Sequence, residues 1–124
     1  TIVVPSGVAG LRFTDEADAI NAEAARLQAQ GVQAIVATIH EGGFNDGAQM
    51  EWNSSACPGR RGNIFDIEKR LAPAVDVVLS AHTHQGYACN INGRPVMQAL
   101  SFGRGVSVLD LVLDPATGDV DRSK

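Results

Sequence analysis

The chain contains three histidines, and all three stand where an apolar run stops. His40 follows "VQAIVATI", and His82 and His84 follow "VDVVLSA" as the triplet His-Thr-His. A neutral imidazole is a ready ligand for Zn, Mn, Fe or Ni. In an extended stretch residues i and i+2 point to the same side, so His82 and His84 can serve one site. The plainer alternative is that each is a polar loop residue with its hydrogen bonds satisfied. Three histidines gathered at the ends of two strands are harder to explain that way. A dinuclear phosphoester-cleaving centre also needs an anionic bridge between its metals. Glu41 neighbours His40, but adjacent strand-end residues point in different directions, and no Asp stands out as the bridge.

These positions depend on the elements that carry them. "TDEADAINAEAARLQAQG" predicts a helix capped by Thr14 and closed by Gly31, with Asp15 and Glu16 at the positive end of its dipole. Its apolar stripe is Ala17, Ile20, Ala24 and Leu27, at helical spacing. "VQAIVATIH" is almost wholly apolar from Val32 to Ile39, as expected for a strand buried on both faces. Residues 41–62 are rich in Gly, Asn and Ser without a period, and a loop of that length is usually functional or mobile. "NIFDIEKRLAP" predicts a short helix capped by Asn63, with Ile64, Ile67 and Leu71 inward and Pro73 as its stop. "VDVVLSA" is the second buried strand.

Strand, helix, strand in that order forms a βαβ unit, which almost always crosses over right-handed and leaves the strands parallel. Both strands then end at one sheet edge, where open α/β sheets bind ligands, and His40 converges with His82 and His84. Beyond them, "YACNINGRPVMQAL" predicts a hairpin about Asn92-Gly93, and residues 105–119 an alternating strand ending in a turn. The expected class is α/β, a parallel βαβ unit with antiparallel strands appended.

With 124 residues the chain accommodates one core, and its apolar runs are too short to cross a bilayer. A net charge of −4, with Arg60-Arg61 and Lys69-Arg70 as short isolated basic pairs, argues against a partner that is a nucleic-acid polymer. The opening "TIVVPSG" has neither Met nor a charged leader, which reads as part of a longer protein. Cys57 and Cys89 allow a disulfide, a metal pair or two unrelated thiols; the wide spacing favours the disulfide, and with it an oxidising compartment.

"GVQAIVATIHEGG" and "VDVVLSAHTHQGY" resemble the last two metal-binding motifs of calcineurin-like metallophosphoesterases of the secreted 5'-nucleotidase family. In that family one strand ends in His before a Gly-containing turn and a later one in G-H-x-H or G-H-x-Q. "INGRPVMQALSFGRGVSVLDLVLD" is similar to the stretch that follows. The resemblance implies that residues 1–124 are the C-terminal portion of such a domain, one part of a four-layer α/β/β/α sandwich. It implies His40 and His82 as ligands of one metal and His84 as a ligand of the other.

On this resemblance the parent is a metal-dependent phosphomonoesterase, a 5'-nucleotidase with two divalent ions such as Zn or Mn, lying outside the cell, in the periplasm or at the cell surface. The N-terminal half with D-x-H, G-D-x-x-D and G-N-H-[DE], the last carrying the general acid, is absent, as is the nucleoside-binding domain. The 124-residue chain is therefore expected to hold at most one metal, weakly, to be inactive by itself, and to self-associate through the strand edge left bare. Action on cyclic phosphodiesters or nucleotide sugars, or a non-catalytic α/β binding module, are the alternatives. Ala81 replaces the family's usual Gly, a strained choice if that position takes positive φ. Cys57 and Cys89 would fall where a disulfide ties two loops near the site.

Overall fold

The computed structural model describes residues 3–46, 52 and 55–124. Residues 1–2 of the opening segment and residues 47–51, 53 and 54 of the long loop, on which sequence readings also fell, lie outside the described residues. After a 3-10 turn at Pro5–Val8 come α1 (Glu16–Gln28), β1 (Val36–Ile39), β2 (Phe44–Asn45), β3 (Arg60–Arg61), α2 (Asn63–Glu68), β4 (Val77–Ser80), β5 (Gly86–Ile91) and β6 (Arg94–Ala99). The class is mixed α/β, with a four-stranded mixed sheet of order β1-β4-β6-β5.

The βαβ expectation holds. β1 and β4 are parallel, in a register that sets Val36 beside Val77 and Ile39 beside Ser80, so both chains leave the sheet at the same edge. β4 is also parallel to β6, whereas β5 and β6 form the expected antiparallel hairpin. Its turn takes left-handed backbone at Asn92 (φ 54°) and Gly93 (φ 82°). Asn tolerates that region better than most residues and Gly carries no steric penalty there, which is why this dipeptide makes the turn.

The helices cover one face of the sheet. Ala17 and Ala24 of α1 and Ile64, Phe65 and Ile67 of α2 join Ala37, Val78, Tyr87, Cys89, Ile91 and Val96 in the core, with Ile20 and Leu27 packed against it. The opposite face is open in part: Val36 is 45% and Leu79 40% exposed, while their neighbours Val77 and Met97 are buried. The expectation of a strand buried on both faces is thus corrected for β1, which is an edge strand with only Ala37 fully inward.

Both predicted helix caps are displaced by one residue. Asp15, not Thr14, caps α1, its carboxylate accepting the Asp18 N–H at 3.0 Å. The same carboxylate receives Nη1 and Nη2 of Arg70, each at 2.8 Å. The Arg70 guanidinium, above all, holds the Asp15 carboxyl below its usual range. Gly62 (φ 113°), not Asn63, precedes α2, and no side chain caps that helix. The Ile64 N–H reaches instead to the Gly42 carbonyl at 3.4 Å. A side chain at Gly62 would place its first carbon 2.8 Å from the Gly43 Cα, so only glycine allows the approach.

Two further expectations change. The irregular stretch 41–62 contains the short antiparallel ladder β2–β3, pairing Phe44 with Arg61 and Asn45 with Arg60. The strand expected over 105–119 does not form. Its one β contact is an isolated bridge between Leu113 and Val120, closed by the turn at 115–117. Val106 is 87% and Val108 76% exposed, so an alternating apolar segment lies against little of this chain. The total accessible surface, 8075 Å², exceeds the roughly 6,300 Å² that size scaling gives a compact monomer of 13.0 kDa.

Candidate metal centre

His40 leaves β1 and the triplet 82–84 leaves β4, and a backbone hydrogen bond from Ala81 N–H to the Glu41 carbonyl (3.1 Å) ties the two exits. All three imidazoles belong to exposed residues. The rings of His40 and His82 meet edge to face with centroids 5.1 Å apart. A zinc ion at about 2.05 Å from a ring nitrogen sits about 3.2 Å from that ring's centroid, so two imidazoles sharing a tetrahedral ion have centroids about 5 Å apart. The His40–His82 separation is of that order. The ground beside them is a shallow depression of about 260 Å³ lined by Thr38, Ile39, His40, Leu79 and Ala81.

His84 is placed differently. Its ring stands edge to face with Phe102 at 5.3 Å between centroids. Among the described residues no group of three or more His, Cys, Asp or Glu side chains is arranged to hold a metal ion. Glu41 is turned away: one carboxylate oxygen accepts the Gly42 N–H at 2.9 Å and the other lies 3.5 Å from the Asn63 amide nitrogen. Two imidazoles thus stand side by side with a third apart.

The backbone around these imidazoles is unusual. Among the described residues, six other than glycine have positive φ, including His82 (74°), His84 (58°), Leu100 (57°) and Phe102 (58°). These four occupy two adjoining loops, joined by the Leu100 N–H to Gln85 carbonyl bond of 2.9 Å. Left-handed backbone at residues with side chains is sparsely populated and concentrates where surrounding structure over-determines it, often at functional sites. Ala81, a strained choice only if its φ were positive, is not among them. Loop strain of this kind leaves no mark on composition or periodicity, so the sequence could not disclose it.

Beneath the turn lies a polar cluster that sequence reading also missed. The Thr83 hydroxyl donates to the Gly43 carbonyl at 2.7 Å and lies 3.1 Å from Gln98 Oε1. Tyr87 Oη is 2.6 Å from Ser80 Oγ and 3.3 Å from Gln98 Oε1. Burial pushes the Tyr87 phenol above its ordinary value of 10.0. Cys57 and Cys89 are joined by a disulfide, which ties the long loop to β5. A second hollow, of about 340 Å³, lies between the β5–β6 hairpin and residues 105–109 and includes Trp52 but no histidine.

The chain is similar to Endonuclease YhcR of Bacillus subtilis (strain 168), 32% identical over 119 residues, which is 96% of this chain and 9% of that protein. It is also similar to Cell wall protein Lmo0130 of Listeria monocytogenes serovar 1/2a, 31% identical over 121 residues, 95% of this chain and 15% of that protein. The chain therefore spans well under a fifth of these curated relatives. No family model matches it, and no solved structure does. These findings overturn the expected assignment to the C-terminal half of a secreted 5'-nucleotidase metallophosphoesterase domain, because the relatives are named as an endonuclease and a cell wall protein.

Proposed function

We propose that this chain is one part of a metal-dependent hydrolase of nucleotide phosphoesters acting outside the cytoplasm. The observation that carries the reading is the pair His40–His82, set by parallel β1 and β4 at the carboxyl edge of the sheet with ring centroids 5.1 Å apart. The relative named as an endonuclease supports phosphoester hydrolysis. The relative named as a cell wall protein and the disulfide support an extracellular or cell-surface location.

In this reading His40 and His82 hold one divalent ion, Zn or Mn, and His84 serves a second whose remaining ligands come from elsewhere. Metals in such a pair activate water and neutralise the phosphate oxygens. The open sheet face at Val36 and Leu79 is the surface that a further layer of a four-layer sandwich covers in the assembled enzyme. The 124-residue chain by itself holds one ion weakly and turns nothing over, for want of carboxylate ligands and a general acid. The net charge of −4 favours a mononucleotide over a polymer as substrate.

The test begins with calorimetric titration of the chain with Zn²⁺ and Mn²⁺. Binding that is lost in His40→Ala and in His82→Ala is expected. No binding, or binding indifferent to both substitutions, overturns the metal centre. A longer polypeptide carrying this chain is then assayed on AMP, a cyclic nucleotide, a nucleotide sugar and an oligonucleotide. Phosphate release from AMP that fails in His82→Ala is the expected result, whereas cleavage of another member alone reassigns the substrate. An inactive, metal-free polypeptide leaves the chain as a non-catalytic module and refutes the proposal.

A further inference from the structure

Resting on the metal centre just proposed, we infer that Thr83 is a positioning residue that aims the His82 imidazole at His40. Thr83 lies between two candidate ligands, yet its side chain goes the other way, into the protein. The hydroxyl donates its single proton to the Gly43 carbonyl at 2.7 Å, across to the loop that follows β1 and His40. Gln98, only 3% exposed, sets Oε1 3.1 Å from the same hydroxyl as a second, more distant acceptor for that proton, while its amide nitrogen has no partner among the described residues.

The fit around the contact leaves no slack. A side chain added at Gly42 would bring its first carbon to 2.1 Å from the Ala81 carbonyl oxygen, 2.6 Å from Thr83 Oγ1 and 2.7 Å from Gln98 Oε1. At Gly43 it would come to 2.5 Å from the Phe65 ring and 2.7 Å from the Arg61 carbonyl. Two glycines thus let one loop lie flush against the other, and the Thr83 hydroxyl closes the seam. With the Thr83 side chain fixed inward, the left-handed backbone at His82 and His84 throws both imidazoles outward. Without that anchor the turn can relax toward ordinary φ values, and the His40–His82 approach is lost.

Two readouts test this, one of them independent of metal. In the metal-free chain, NMR should give cross-relaxation between the ring protons of His40 and His82. Thr83→Val, which keeps the shape and removes the hydroxyl, should abolish it, and Thr83→Ser should restore it. Calorimetry with Zn²⁺ alone should show affinity falling about 10- to 100-fold in Thr83→Val and within about threefold of wild type in Thr83→Ser, as for residues that orient metal ligands. His82→Ala serves as the control for the centre itself. If wild type binds Zn²⁺ through His82 and Thr83→Val keeps both the ring contact and the affinity, the positioning role is overturned while the metal centre stands. If the ring contact responds to Thr83 but no ion binds, the positioning stands and the metal reading falls. Should Thr83→Val fail to fold, Thr83→Ala in the same two measurements decides.

Discussion

Replacing Arg94 should destabilise the chain more than any other single loss of a polar contact. Arg94 begins β6, and its side chain runs under the sheet with 8% exposure to meet Glu68 of α2, whose side chain is 2% exposed. Nη1 reaches Glu68 Oε1 at 2.8 Å, Nε the Val75 carbonyl at 2.7 Å and Nη2 the Ala72 carbonyl at 2.8 Å. The guanidinium thereby supplies donors to carbonyls at and beyond the end of α2, groups that a helix cannot satisfy by itself.

Arg94→Met keeps most of the stem and strands a buried carboxylate whose second oxygen, Oε2, already lacks a partner among the described residues. Breaking a buried pair from one side costs about 3–5 kcal/mol, a large part of the total stability of a small domain. With an unfolding entropy of roughly 2.1 cal/mol/K per residue, a 124-residue chain loses about 15 °C of Tm for a 4 kcal/mol loss. Thermal and urea unfolding followed by circular dichroism, with the disulfide intact, measure both quantities. The double variant Glu68→Met/Arg94→Met should recover much of the loss, since no charge is left buried. A cost below about 1 kcal/mol for Arg94→Met, or a double variant no better than the single one, would refute the reasoning.

Tyr87 is the only tyrosine, so absorbance at 295 nm reports its ionisation alone, and it should ionise above 10.0 in the folded chain. Because its folded value is raised, the stability it contributes is complete below the unfolded value and fades as pH rises through the folded one; a midpoint at or below 10.0 counts against its burial. Reducing the Cys57–Cys89 bridge, which spans a sequence separation of 32, should cost roughly 3–4 kcal/mol in the chain-entropy model, read as a lower urea midpoint in reductant; an unchanged midpoint contradicts it. The exposed edge of β1 and the apolar segment 105–113 should drive self-association, so sedimentation should find dimers or larger species that Val106→Lys/Val108→Lys shifts toward monomer. A clean monomer at high concentration removes that expectation.

The sequence by itself determined the elements whose cause is local. The stripe of Ala17, Ile20, Ala24 and Leu27 needs only the 3.6-residue period, the Asn92-Gly93 turn only its left-handed tolerance, and the βαβ order sets β1 and β4 parallel. From that topology alone His40 and His82 had to meet, and their rings do. Tertiary structure decided whatever depends on distant partners. Thr14 and Asp15 are both capping residues, and Arg70, 55 positions from Asp15, sits on the carboxylate of the one used. Residues 105–113 carry a strand's alternation, but a strand exists only when another pairs with it, and among the described residues there is a single bridge, at Leu113. His84 shares the period of His82 yet faces Phe102, because positive φ at both histidines breaks the extended geometry in which i and i+2 agree. Thr83 and Gln98 looked ordinary in the sequence, since their part depends on Gly42 and Gly43, forty or more positions from one partner and more than fifty from the other, leaving no room between the loops.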